Sequence, residues 1–142
     1  ATVGFGARHR VTHFAAAPTV YRALRAADAT GGEWRRHLRC ASSAGEPLQR
    51  AVAHWFEDAF GARVLDHYGQ TETGMTCCNH HARADGSGAD VDADGDDDGG
   101  DGTALATMGV PMRGFALGVL DGDTGADVGA HSDAVGALAV DR

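Results

Sequence analysis

Apolar and polar positions along the chain alternate in blocks that spell out a sequence of elements. Residues 11–27 read as a short strand or loop followed by a helix, with Pro18 in the first turn, where a missing N–H has no consequence. Val20, Tyr21, Leu24 and Ala27 then share one face, and Gly31 and Gly32 lie where such a helix stops. Residues 38–44 read as a short buried strand ending in small side chains. From Pro47 the pattern turns helical: Leu48, Val52, Trp55, Phe56 and Ala59 form one apolar stripe, and Gly61 stands where a left-handed cap belongs. Residues 62–68 read as another strand, running into a polar turn. Further on, residues 115–121 and 136–141 read as two short strands, with a turn at Asp121–Gly125. No internal repeat is visible.

The order strand, helix, strand, turn is that of a parallel α/β sheet. The expected fold class is α/β, a parallel or mixed sheet with covering helices, plus short C-terminal strands. Three stretches are expected: an α/β nucleotide-binding segment at 1–81, an acidic Asp/Gly-rich loop at 82–104, and a β-rich segment of the same domain at 105–142. Ligands of such sheets collect at the carboxyl ends of the strands. Two polar segments fall there, 42–47 and 66–74.

Composition then narrows the partners. At 142 residues the chain is long enough for a real core. No run approaches the ~20 apolar residues of a membrane-spanning helix, and residues 1–13 lack the apolar core of a secretion signal. The first residue is Ala rather than Met, so the numbering is expected to begin inside a longer reading frame. The net charge is −8. It is concentrated: residues 85–101 hold eight Asp and no base, whereas residues 1–84 carry ten Arg against seven acids. With no basic face to release counterions, nucleic acid is not expected as a partner. Lys is absent, and Asp outnumbers Glu sixteen to four. That bias suits a salt-adapted (halophilic) source, although a GC-rich genome also favours Arg, Ala and Gly. Three cysteines, two of them adjacent, make no disulfide framework, and a reducing, cytoplasmic setting is expected.

The chemistry is densest in DHYGQTETG, residues 66–74. An aromatic, a glycine, an amide, a hydroxyl and a carboxylate follow one another at a strand end. A Thr hydroxyl can donate to a phosphate oxygen, a carboxylate can hold Mg²⁺, and an aromatic ring offers a face to a purine. Alone, such a turn is more often a structural loop. The second stretch, SSAGEPL at 42–48, has small residues that let backbone approach a planar ligand. Alone, it is more often a strand-to-helix connection.

Joined by one amphipathic helix, the two stretches resemble the adenylate-forming superfamily, specifically the AMP-forming acyl-CoA synthetases. THFAAAPTVYRAL at 12–24 and MGVPMRGFALGVLD at 108–121 look like the segments that precede and follow these motifs there. The resemblance implies part of the large domain of an enzyme that uses ATP to convert a carboxylic acid to an acyl-adenylate and pyrophosphate. Coenzyme A then takes the acyl group and releases AMP. It implies that Gly45, Glu46 and Pro47 line the adenine side. Asp66, His67, Tyr68, Gly69 and Gln70 form the other wall, with Tyr68 against the purine. Thr71 contacts the α-phosphate, and Glu72 holds Mg²⁺. Ala44 and Gly69 flank the acyl pocket. Acetate-specific relatives carry Trp before the QTE triplet, so Gly69 implies an acid longer than acetate.

The family's Lys-bearing phosphate loop, ribose-binding Asp and small C-terminal domain are not visible. A chain without Lys cannot supply the adenylation Lys. The expectation is a truncated or split product, the remainder being a separate chain or missing, with adenylation by this chain alone in doubt. Such a slice would expose strand edges and helix faces, and poor solubility is expected. A non-catalytic remnant or nucleotide-binding module is the alternative in another class, and an acidic protein whose loop binds divalent ions is a third. Asp90, Asp92, Asp94 and Gly95 match the start of an EF-hand loop, but Asp101 replaces the usual Glu and the flanks are Gly-rich, so a solvated insert is favoured. Cys77–His80 and Cys78–His81 have zinc-like spacing, but adjacent ligands would crowd one another, so ordinary packing is favoured over a zinc site. His13, Trp34 and Trp55 are read as packing residues.

Overall fold

The computed structural model describes residues 1–79, 108–129 and 136–141. The acidic loop at 82–104, with its EF-hand-like motif, and His80 and His81 lie outside them. The chain divides into two compact units, Ala1–Val110 and Pro111–Arg142.

In the first unit, α1 (Thr2–Arg8) leads to β1 (His13–Ala16), α2 (Pro18–Ala26), a 3-10 turn (Gly32–Arg36), β2 (Cys40–Ala44), α3 (Arg50–Phe60), β3 (Val64–Gln70) and β4 (Gly74–Cys78). A two-residue strand, β5 (Val110–Pro111), completes a sheet in sequential order. β1, β2 and β3 run parallel, as the strand–helix–strand pattern requires, while β4 returns antiparallel to β3. The fold is therefore mixed α/β, as expected. The second unit contains β6 (Ala116–Leu120) and β7 (Ala137–Asp141), paired antiparallel. Within it the Asp121 carboxylate accepts from the backbone N–H groups of Asp123 and Thr124 and from the Thr124 hydroxyl, closing the turn read at Asp121–Gly125.

The core lies between the parallel strands and the helices. Pro18 opens α2 and is buried, and Tyr21 is fully buried. The predicted stripe on α2 narrows to Tyr21 and Leu24, since Val20 is exposed. On α3 the burial falls on Val52, Ala53, Phe56 and Phe60. Phe56 and Phe60, one turn apart, stack at 4.3 Å, Tyr21 meets Phe56 edge-on at 4.9 Å, and Trp34 meets Phe60 edge-on at 5.7 Å. Such edge and offset contacts suit the ring quadrupoles and hold the helices at fixed spacing. Trp34 is buried with its indole N–H donated to the Val11 carbonyl at 2.9 Å, so its polar atom is satisfied.

Three features differ from the pattern-based reading. α3 begins at Arg50, with Gln49 extended, so Pro47 belongs to the preceding turn rather than to the helix. α1 is one short helix whose Val3 and Ala7, four residues apart, pack against the core, a pattern too brief to announce it, and Gly6 lets it lie directly on the Trp34 indole, which a β-carbon there would strike. β4 carries Gly, Met, Thr and two Cys, with no alternation to reveal it, and is fixed by pairing with β3. Gly61 does cap α3 in the left-handed region, at φ 72°.

Candidate adenylate-binding site

Parallel strands in register deliver their carboxyl ends to the same edge. Ser43 lies beside Asp66 and Ala44 beside His67 on β2 and β3. The turn that follows β2 (residues 45–49) and the turn that follows β3 (71–73) therefore leave the sheet on the same side. The Asp66 carboxylate reaches across and accepts the Leu48 N–H at 3.4 Å. The two polar segments singled out in the sequence are thus neighbours.

The first turn is built on backbone geometry. Gly45 takes φ 94°, a region that side chains disfavour. Gly45, Glu46 and Pro47 are exposed, and Ala44 is half-buried. Leu48 is buried and anchors the far end in the core. Glu46 does not hang free. Its carboxylate accepts from the Thr19 hydroxyl at 2.6 Å and from the Arg22 guanidinium at 2.6 Å, while Arg22 also donates to Thr19 at 3.1 Å. These bonds, the Thr19 hydroxyl first, hold the Glu46 carboxyl below the usual range.

The second wall follows β3. Asp66, His67, Tyr68 and Gly69 are half-buried, and Gln70, Thr71 and Glu72 are exposed. The β3–β4 register shifts between Tyr68 and Gly69, an irregularity that re-aims side chains at the strand end. A β-carbon on Gly69 would strike the backbone of Gly74 and Met75, so glycine keeps the hairpin closed there. The turn is fixed by Thr73, whose hydroxyl accepts the Gln70 N–H at 3.3 Å. Neither Thr73 nor the Asn79 amide, which donates to the Asp66 carbonyl at 2.8 Å, was singled out in the sequence. The signal for Thr73 was its place in the TET triplet; Asn79 had none.

Two buried polar atoms in this region have no hydrogen-bond partner in the structure, Ser43 Oγ and Asp66 Oδ1. They occupy register-paired positions on adjacent strands, Ser43 next to the end of β2 and Asp66 within β3. Cys77 is buried in β4, and no cluster of three metal-ligating side chains occurs among the described residues. No helix among them is long and apolar enough to cross a membrane.

Known proteins resemble this chain in sequence and fold. The chain is 40% identical over 72 residues to acetyl-coenzyme A synthetase of Cryptosporidium parvum, a match covering 47% of the chain and 10% of that protein. It superposes on the crystal structure of Brucella canis acyl-CoA synthetase with a TM-score of 0.72 and 39% identity, over 99% of the chain and 22% of that structure. ATP-bound MatB from Rhodopseudomonas palustris gives 0.72 and 25% identity, over 99% of the chain and 24% of that structure. The chain thus spans about a tenth of the curated relative and under a quarter of the solved ones. A family model described as AMP-binding enzyme matches residues 2–142, almost the whole length. With its two polar segments beside each other on a parallel strand pair, and matched almost end to end by that model, this protein is a member of the AMP-binding enzyme family.

Proposed function

We propose that this segment forms one face of the nucleotide site of an ATP-dependent acid–thiol ligase. In such an enzyme a carboxylate attacks the α-phosphorus of ATP, an acyl-adenylate forms and pyrophosphate leaves. Coenzyme A then displaces AMP to give the thioester. The observation that carries this reading is the register of β2 against β3, which brings 42–48 and 66–74 to one edge of the sheet. Gly45, Glu46 and Pro47 present backbone to one side of the adenine. Asp66 to Gln70 form the other side, with the half-buried Tyr68 ring against the purine.

Thr71 and Glu72 have the exposure and chemistry for the phosphate end. A hydroxyl can donate to the α-phosphate as its charge grows during in-line attack, and a donor already held in place needs no reorganisation. Mg²⁺ prefers one or two carboxylates plus substrate phosphates over an all-protein cage, so a single exposed carboxylate on a short turn fits it. Bound there by Glu72, the ion would screen phosphate charge. With no Lys in the sequence, these 142 residues alone bind nucleotide without adenylating an acid. Ala44, small and half-buried at the end of β2, supports an acid longer than acetate, whereas Gly69 is small because the β4 backbone lies against it.

Titration of the chain with AMP, followed by amide NMR, tests the reading. The amides of both turns are expected to shift together, and Thr71→Ala should weaken binding about ten- to hundredfold, as expected for loss of a hydrogen bond to a charged group. Unchanged affinity in Thr71→Ala would overturn the role of Thr71.

A further inference from the structure

We infer that Arg22 and Thr19 are positioning residues that clamp the 45–47 turn against α2, so that Glu46 acts on the nucleotide through its backbone and not through its carboxylate. This rests on the nucleotide reading above and deepens it. Three observations carry it. First, the Glu46 carboxylate is committed elsewhere: one oxygen accepts from Thr19 and the other from Arg22, each at 2.6 Å. Charge-assisted bonds of that length are the strong ones. Second, the two donors sit at i and i+3 on α2, hence on one helix face, and are themselves joined at 3.1 Å. The clamp spans 24 to 27 residues of sequence, so it is tertiary rather than local.

Third, α2 is a rigid anchor. Pro18 and Tyr21 bury its first turns, and the Tyr21 hydroxyl donates to the Ser42 carbonyl at 2.7 Å, just ahead of the turn. A turn entered through a left-handed glycine has wide freedom when untied. Bonds from Thr19 and Arg22 remove that freedom before a ligand arrives. A preorganised wall binds more tightly because less ordering remains to be done on binding.

AMP affinity and amide hydrogen exchange of the 142-residue chain, at neutral pH, test the clamp. Arg22→Ala should weaken AMP binding about three- to tenfold and speed exchange at Gly45 and Glu46, leaving exchange at Gln70 and Thr71 unchanged. Thr19→Val should act in the same direction, more weakly. Arg22→Lys keeps the charge but loses the planar geometry, and should fall between wild type and Arg22→Ala. Because Arg22 is half-exposed, these variants should melt close to wild type. Exchanging the charges, Arg22→Glu with Glu46→Arg, should recover part of the loss caused by Arg22→Glu alone. The clamp is overturned if Arg22→Ala leaves both AMP affinity and exchange at Gly45 within a factor of two of wild type. It also falls if Arg22→Ala unfolds the chain and the exchanged pair restores nothing. In either case weakened binding by Thr71→Ala would leave the nucleotide reading standing, whereas a wild-type chain that binds no AMP would overturn both.

Discussion

At the scale of single residues, the site depends on groups whose surroundings decide their charge. The Glu46 carboxyl is held below its ordinary range by Thr19 and Arg22. A group whose folded pKa is lowered adds stability that is present above the unfolded value and is lost as pH falls through the folded one. The tie between α2 and the 45–47 turn is therefore expected intact at neutral pH and released only in the acid range below that of an ordinary carboxylate. Added salt should weaken it, since the ion pair is partly exposed. Amide exchange at Gly45 measured across pH and salt checks both. Tyr21 is a different case. Burial pushes its phenol well above the ordinary value, so it stays a neutral donor to Ser42 at any working pH. Tyr21→Phe leaves that carbonyl without this donor and should cost about 1–2 kcal/mol in a denaturant melt.

At the scale of elements, two close approaches set strict limits. A β-carbon on Gly6 would enter the Trp34 indole, and one on Gly69 would enter the β4 backbone. Gly6→Ala should destabilise the chain by about 1–3 kcal/mol, read from the urea midpoint. Gly69→Ala should open the β3–β4 hairpin and weaken AMP binding, because the 71–73 turn hangs from it. Phe56→Ala removes the ring that joins Tyr21, Phe60 and Trp55, and about 3–5 kcal/mol is expected. Much of this layer was legible in the residues. Proline at 18, Gly61 as the cap of α3 and, within the α3 stripe, Val52 and Phe56 carry local signals that the structure has in place, while burial on α3 shifts to include Ala53 and Phe60. The two turns were legible as a pair because strand–helix–strand order fixes which ends of the strands lie together. β4 and α1 were not, because β4 is fixed by long-range pairing and α1 is too short for its one apolar pair to stand out. The bond from Thr19 and Arg22 to Glu46 was hidden for the same reason: nothing within a few residues of any partner hints at a contact 24 or more positions away.

At the scale of the whole molecule, charge and family membership point to separate tests. The −8 charge is concentrated in residues 85–101, outside the described residues, and the remainder is close to balanced. A calcium titration by calorimetry is expected to give no specific heat of binding, as a solvated insert requires. The chain covers a small share of its relatives' length, and it has no Lys to serve the adenylation step that the resemblance implies. Acid-dependent ATP–pyrophosphate exchange by these 142 residues should stay at background, and exchange above background would contradict a binding-only role for them. The central claim is narrower than catalysis: both turns face one nucleotide. Photolabelling with 8-azido-AMP tests it most directly, because cleavage at Arg39, Arg50, Arg63 and Arg83 puts the turns on separate tryptic peptides, 40–50 and 64–83. Adducts on both peptides, competed away together by AMP, are the expected result; adducts confined to one of them, or insensitive to AMP, would contradict the account.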